Sequence, residues 1–94
     1  MNIVFLDEYT LGGTDLTAIR QLGNYMGYAS TRPEQVIERS KDAEVIIVNK
    51  VIIGRKEMEQ LPKLRLICVA ATGVNNIDLD AAKEYNISVR NAVG

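Results

Sequence analysis

Thr72, Gly73 and Val74 stand where an apolar run gives way to turn-forming residues, in the stretch LICVAATGVNNIDLDAA from Leu66 to Ala82. Gly73 has no Cβ, so three successive amides, those of Thr72, Gly73 and Val74, have room to approach an anion closely. Residue types alone favour the plainer reading, a strand-to-helix turn, because Gly and Asn make such turns routinely. A second polar pair, Asn49-Lys50, follows the apolar run Glu44-Val45-Ile46-Ile47-Val48. The Lys50 ammonium is a compact charge with three donors, suited to attracting a carboxylate. A solvated loop lysine explains it equally well. A third pair, Asp7-Glu8, ends the run Ile3-Val4-Phe5-Leu6. Asn76 and Asp78 read as structural, one for a tight turn and one as a helix cap.

Much chemistry has no residue to carry it. The chain has no histidine, which removes the commonest general acid/base and the commonest metal ligand, and no metal site is expected. The single cysteine, Cys68, has no partner for an internal disulfide and lies mid-strand without a base. It reads as a small buried hydrophobe. Gly12-Gly13 lacks the G-x-G-x-x-G spacing of a dinucleotide fingerprint. The helical charges Arg39, Lys41, Glu57, Glu59, Lys83 and Glu84 read as solvated faces.

The elements that must place these residues alternate along the chain. Strands are expected at Ile3 to Leu6, Tyr25 to Ala29 (weaker, an edge), Glu44 to Val48, Leu66 to Ala71 and Ile87 to Val89. The run at Leu66 to Ala71 is that of a strand covered on both faces. Between the strands lie four helix patterns. The first begins at Thr14 or Asp15, carries Leu16, Ile19 and Leu22 on one face and ends at Gly23. The second opens with Thr31-Arg32-Pro33-Glu34 as a capping box and runs to about Lys41. The third covers Gly54 to Gln60 and stops at Leu61-Pro62. The fourth is capped by Asp78 and stopped by Asn86. Alternation with short connections predicts an α/β fold, a doubly wound five-stranded parallel sheet in the flavodoxin-like order 2-1-3-4-5. Ligands of such sheets sit at the carboxyl ends of strands, where the loops Asp7 to Thr10, Asn49 to Ile52 and Ala71 to Asn76 fall.

Ninety-four residues make one domain, and a net charge of −1 supplies no basic field for nucleic acid or an anionic membrane. No apolar run reaches the roughly 20 residues of a membrane span. The opening MNIVFLDEYT lacks the basic front of a signal peptide, which points to the cytoplasm.

Four segments together carry a family resemblance: VNK at Val48 to Lys50, LPKLRLI at Leu61 to Ile67, ATGVNNIDLDAA at Ala71 to Ala82, and the closing ISVRNAVG. The chain resembles the substrate-binding domain of the D-isomer-specific 2-hydroxyacid dehydrogenases, most closely the glycerate dehydrogenase (hydroxypyruvate reductase) branch. The resemblance covers essentially all of the chain. It implies that the amides of Thr72, Gly73 and Val74 receive the carboxylate of a small 2-hydroxy or 2-keto acid, reversing the preference for a plain turn. It also implies that Asn49 and Lys50 lie near that substrate. Members of the family are two-domain enzymes roughly two to three times this length. They hold NAD(H) or NADP(H) on a Gly-rich loop of the second domain, and use an arginine, a glutamate and a histidine that have no matching positions here. Residues 1–94 are therefore expected to be the substrate-binding part of a longer homodimeric enzyme, with no catalytic residue and no bound cofactor of their own. The isolated chain is expected to be inactive and to self-associate through the surface around Val89 to Gly94.

The alternative of another class is a receiver-like signalling module. Asp7-Glu8 and Thr72 fit two of its positions, but Asn49 stands where the phospho-acceptor belongs and Arg90-Asn91 where a lysine belongs. An amide accepts no phosphoryl group. A bare structural or dimerisation module of the same flavodoxin-like fold is the third reading.

Overall fold

The computed structural model describes residues 1–8, 21–70 and 73–91. Five parallel strands form one sheet in the order β2-β1-β3-β4-β5: β1 (Asn2–Phe5), β2 (Asn24–Gly27), β3 (Val45–Val48), β4 (Leu66–Val69) and β5 (Ser88–Asn91). The register runs Ile3 to Val45, Val45 to Leu66 and Leu66 to Ser88, so the carboxyl ends of β1, β3 and β4 share one edge. The helices are α1 (Val36–Ser40), introduced by a 3-10 turn at Pro33–Gln35, then α2 (Arg55–Glu59) and α3 (Leu79–Glu84). This is the expected doubly wound topology. β2 lies at the edge of the sheet, as its weak apolar pattern predicts.

Each helix starts and stops for local reasons. Pro33 takes the first helical position, which its fixed φ suits. That makes Arg32 the cap, so the pairing three residues apart joins Arg32 to Gln35 rather than Thr31 to Glu34: the Arg32 amide donates to Gln35 Oε1 at 3.1 Å. Thr31 Oγ1 instead accepts from Arg39 Nη1 at 2.9 Å, and the Arg39 guanidinium lies over the Tyr28 ring. At α2 the Gly54 amide donates to Glu57 Oε1 at 2.7 Å. Asp78 Oδ1 accepts from the Ala81 amide at 3.0 Å, the predicted cap. Asn86 adopts a left-handed φ of 58°, and the Ile87 and Asn86 amides donate to the carbonyls of Ala82 and Lys83. These two bonds make a Schellman closure that turns the chain into β5.

Alternation along the strands divides the core. Val4, Leu6, Ile46, Val48, Ile67 and Val69 share a cluster with Val36 of α1, Met58 of α2 and Ala81 and Ala82 of α3. Ile3, Phe5 and Ile47 make a smaller cluster on the opposite face, flanked by the half-buried Tyr25, Val45, Cys68 and Ala70. β4 is thus less evenly covered than its apolar run suggests: Ile67 and Val69 are fully buried, while Leu66 and Cys68 are half-buried. Cys68 is a flank of the core rather than part of it. The expected first helix, with Leu16 and Ile19, lies outside the described residues, as does Gly12-Gly13. Leu22 is exposed, in the turn before β2. Gly23 is required where it stands, since a Cβ there would come within 2.2 Å of the Met1 carbonyl oxygen, which the Asn24 amide reaches at 2.8 Å.

Candidate functional site

The sheet's winding reverses between β1 and β3, and the chain leaving each strand diverges there to open a crevice. Asp7, just beyond β1, is 2% exposed. Its Oδ1 accepts from the Asn49 amide at 2.7 Å, and its Oδ2 from the amides of Lys50 at 2.6 Å and Val51 at 3.1 Å. A buried carboxylate requires such compensation, and bonds from amides to an ionised acceptor are the stronger kind. The same segment is held from the β4 side. Asn76 Nδ2 donates to the carbonyls of Val51 at 2.8 Å and Asn49 at 3.3 Å. The Ile53 amide donates to Asn76 O at 2.9 Å and the Asp78 amide to Ile53 O at 3.0 Å, a short parallel bridge between Ile53 and Ile77.

Residues 49–53 are therefore fixed on both flanks, and Lys50 projects from them exposed. It lines a cleft of about 270 Å³ with Asp7, Ser30, Thr31, Pro33, Val51 and Ile52. Asn49 is half-buried, its backbone amide and carbonyl engaged by Asp7 and Asn76. Gly73 is exposed, and among the described residues a Cβ built on it would meet nothing within 4 Å. The described residues thus leave the Cβ side of Gly73 open, and an anion held by backbone amides needs such an open approach. Val74 is half-buried against the larger cluster, and its carbonyl accepts from the Ile77 amide at 3.0 Å. Thr72 lies outside the described residues. Asn76 ties the turn carrying Gly73 and Val74 to the segment carrying Asn49 and Lys50, although Gly73 and Val74 do not line the cleft beside Lys50.

Burial raises the Cys68 thiol above its ordinary pKa, which keeps it protonated and a weak nucleophile at neutral pH. Among the described residues no group of three or more His, Cys, Asp or Glu side chains could hold a metal ion. No helix among them is long and apolar enough to cross a membrane.

The family profile of the D-isomer specific 2-hydroxyacid dehydrogenase catalytic domain matches residues 4–94. The chain belongs to this family. It is 41% identical over 93 residues to a glycerate dehydrogenase of Methylorubrum extorquens, which covers 95% of this chain and 28% of that protein. It is 38% identical over 96 residues to a hydroxypyruvate reductase of Blautia hydrogenotrophica, covering 97% of this chain and 30% of that protein. Among solved structures, the NAD+-bound 3-phosphoglycerate dehydrogenase of Entamoeba histolytica superposes with a TM-score of 0.80 at 27% identity, over 97% of this chain and 32% of that one. The chain thus spans less than a third of the length of these relatives.

Family membership leaves the receiver-like reading without support, and the site itself argues the same way. Asp7 is occupied by amides of the next strand's loop, and Glu8 accepts from the Tyr25 hydroxyl. The clamping role of Asp7 was not read from the sequence. The available signal was an acid directly abutting the wholly apolar Ile3 to Leu6, a position where burial forces a carboxylate to find donors. Asn76 does more than the tight turn its residue type predicts. Its bridging role depends on the distance between two loops, which no local pattern encodes.

Proposed function

We propose that residues 1–94 form the substrate-binding domain of an NAD(P)-dependent oxidoreductase acting on D-2-hydroxy acids and 2-keto acids of the glycerate and hydroxypyruvate type. The substrate carboxylate rests on the amides of Thr72, Gly73 and Val74. Lys50, with Asn49 beside it, supplies the positive field. The observation that carries this reading is the open space over Gly73, joined through Asn76 to a doubly held loop with an exposed lysine. The glycerate dehydrogenase and hydroxypyruvate reductase among the relatives support the substrate class.

In this reading the described residues do not by themselves hold a nicotinamide dinucleotide. In such folds the ribose hydroxyls are taken by an acid at the end of the second strand, whereas β2 here is followed by Tyr28, Ala29 and Ser30, and the described residues offer no glycine-rich turn opening a helix for the pyrophosphate. In this reading the cofactor, and the arginine, glutamate and histidine of the chemistry, belong to a second domain of a cytoplasmic homodimer.

Amide-detected NMR titration of the 94-residue chain with D-glycerate tests the proposal, with neutral glycerol as control. Glycerate is expected to shift the Gly73 and Val74 amides saturably, and glycerol to leave them in place. Equal responses to both compounds, or none to glycerate, would refute the carboxylate site.

A further inference from the structure

The clamp on residues 49–51 has a chemical peculiarity. Lys50 is proposed to draw the substrate anion toward the turn at Gly73, yet a carboxylate, that of Asp7, lines the same cleft as Lys50. A bare carboxylate there would repel an acid substrate. Asp7 instead accepts from three consecutive amides, including that of Lys50 itself at 2.6 Å. Those dipoles offset its charge at the buried oxygens and at the same time fix the backbone from which the Lys50 ammonium extends.

We infer that Asp7 is a positioning residue for substrate binding: it holds Lys50 in place through the backbone, while the amides it accepts from lessen the repulsion its own charge would exert. This rests on the reading of the strand edge as a carboxylate site. It makes a prediction opposite in sign to simple electrostatics. Replacing Asp7 by the isosteric Asn makes the chain one charge more positive, which on Coulombic grounds alone strengthens binding of an anion. The positioning role demands the reverse. The amide side chain keeps one acceptor and turns an NH2 toward donors, so part of the grip is lost.

The test compares the 94-residue chain with D7N, K50A and the D7N/K50A double variant, by amide hydrogen exchange and by D-glycerate titration. D7N is expected to speed exchange at Asn49, Lys50 and Val51 by about tenfold or more, while the amides of β3 and β4 keep their protection. It is expected to weaken glycerate binding several-fold, and to weaken it no further once Lys50 is alanine, because the effect travels through that side chain. Glycerate binding that is unchanged or tighter in D7N, with exchange accelerated, would overturn the positioning role and leave the carboxylate site standing. Binding by D7N that is weakened equally with and without Lys50 would also overturn it. Failure of the parent chain to bind glycerate would refute the carboxylate site and the inference together. Should D7N not fold, D7E keeps the charge but displaces the carboxylate from the three amides, and the same two readouts apply with the same expected signs.

Discussion

Gly73 offers an unusually direct way to separate recognition from folding. A methyl group added there meets none of the described residues within 4 Å, so Gly73→Ala is expected to leave stability within about 0.5 kcal/mol, the range of substitutions that disturb no packing. If the turn receives the carboxylate as proposed, the same methyl crowds the approach to its amides. A chain that melts like the parent but has lost its glycerate response is the expected result; equal binding would detach the turn from the substrate. Lys50→Ala is expected to act more weakly, with an effect that fades as salt is added, since an exposed ammonium contributes mainly through a screened field. The Cys68 thiol provides a pH test. Its pKa is raised by burial, so the folded state favours the neutral form. Its stabilising contribution is present below the unfolded thiol's pKa and is lost as pH rises through it toward the higher folded value. Alkylation rates of Cys68 followed against pH are expected to have a later midpoint in the folded chain than in urea.

The helices are where local pattern and observed structure agree best. Asp78 and Asn86 were legible as start and stop of α3 because capping is a matter of residues within a few positions of one another. Asp78→Ala is expected to cost about 1 kcal/mol, typical of a lost cap, measured by urea unfolding. Asn86→Gly is expected to stabilise or be neutral, whereas Asn86→Val places a β-branched residue at φ 58° and destabilises. The cap of the 3-10 turn leading into α1 lies one residue later than the Thr31 box predicts, since Pro33 outranks Thr31 in deciding where the turn begins. Strand order was legible from alternation and handedness, but the unequal covering of the two faces of β4 was not, because it depends on what packs across the sheet. The pair of Asp7 with residues 49–51 spans more than forty positions, so neither residue announces the other. Between helices, Arg55 Nη1 of α2 meets Glu84 Oε2 of α3 at 2.6 Å, and Glu84 holds the guanidinium above its ordinary pKa through that bond and its charge. Both side chains are substantially exposed, so the pair stabilises little and its effect is salt-sensitive.

At the scale of the molecule, the sheet gathers three loops at one edge and leaves its remaining surface to packing. The half-buried Val45, Cys68 and Ala70 lie together on the face with the smaller cluster, apolar area that a further packing partner would remove from water. The isolated chain is accordingly expected to sediment as more than a monomer at high concentration, and a strictly monomeric species would count against that expectation. With hydroxypyruvate present, it is expected to leave NADH absorbance unchanged after rigorous removal of host dehydrogenases. Turnover under those conditions would mean that the chemistry resides in these 94 residues after all.

The double hold on the segment after β3 also sets which changes of length the chain can absorb. Asp7 grips the successive amides of Asn49, Lys50 and Val51, while Asn76 takes the alternate carbonyls of Asn49 and Val51. This amounts to a ruler with one-residue divisions, so an insertion between Asn49 and Val51 forfeits several bonds at once. Ile52 lies between that ruler and the bridge at Ile53 and is 72% exposed. Variation in the cleft wall is therefore most easily accommodated at position 52. A library randomised there should retain folded members in abundance, whereas a single glycine inserted after Lys50 should yield few or none. A segment 49–53 transplanted from a relative would have to bring its own partners at positions 7 and 76 with it.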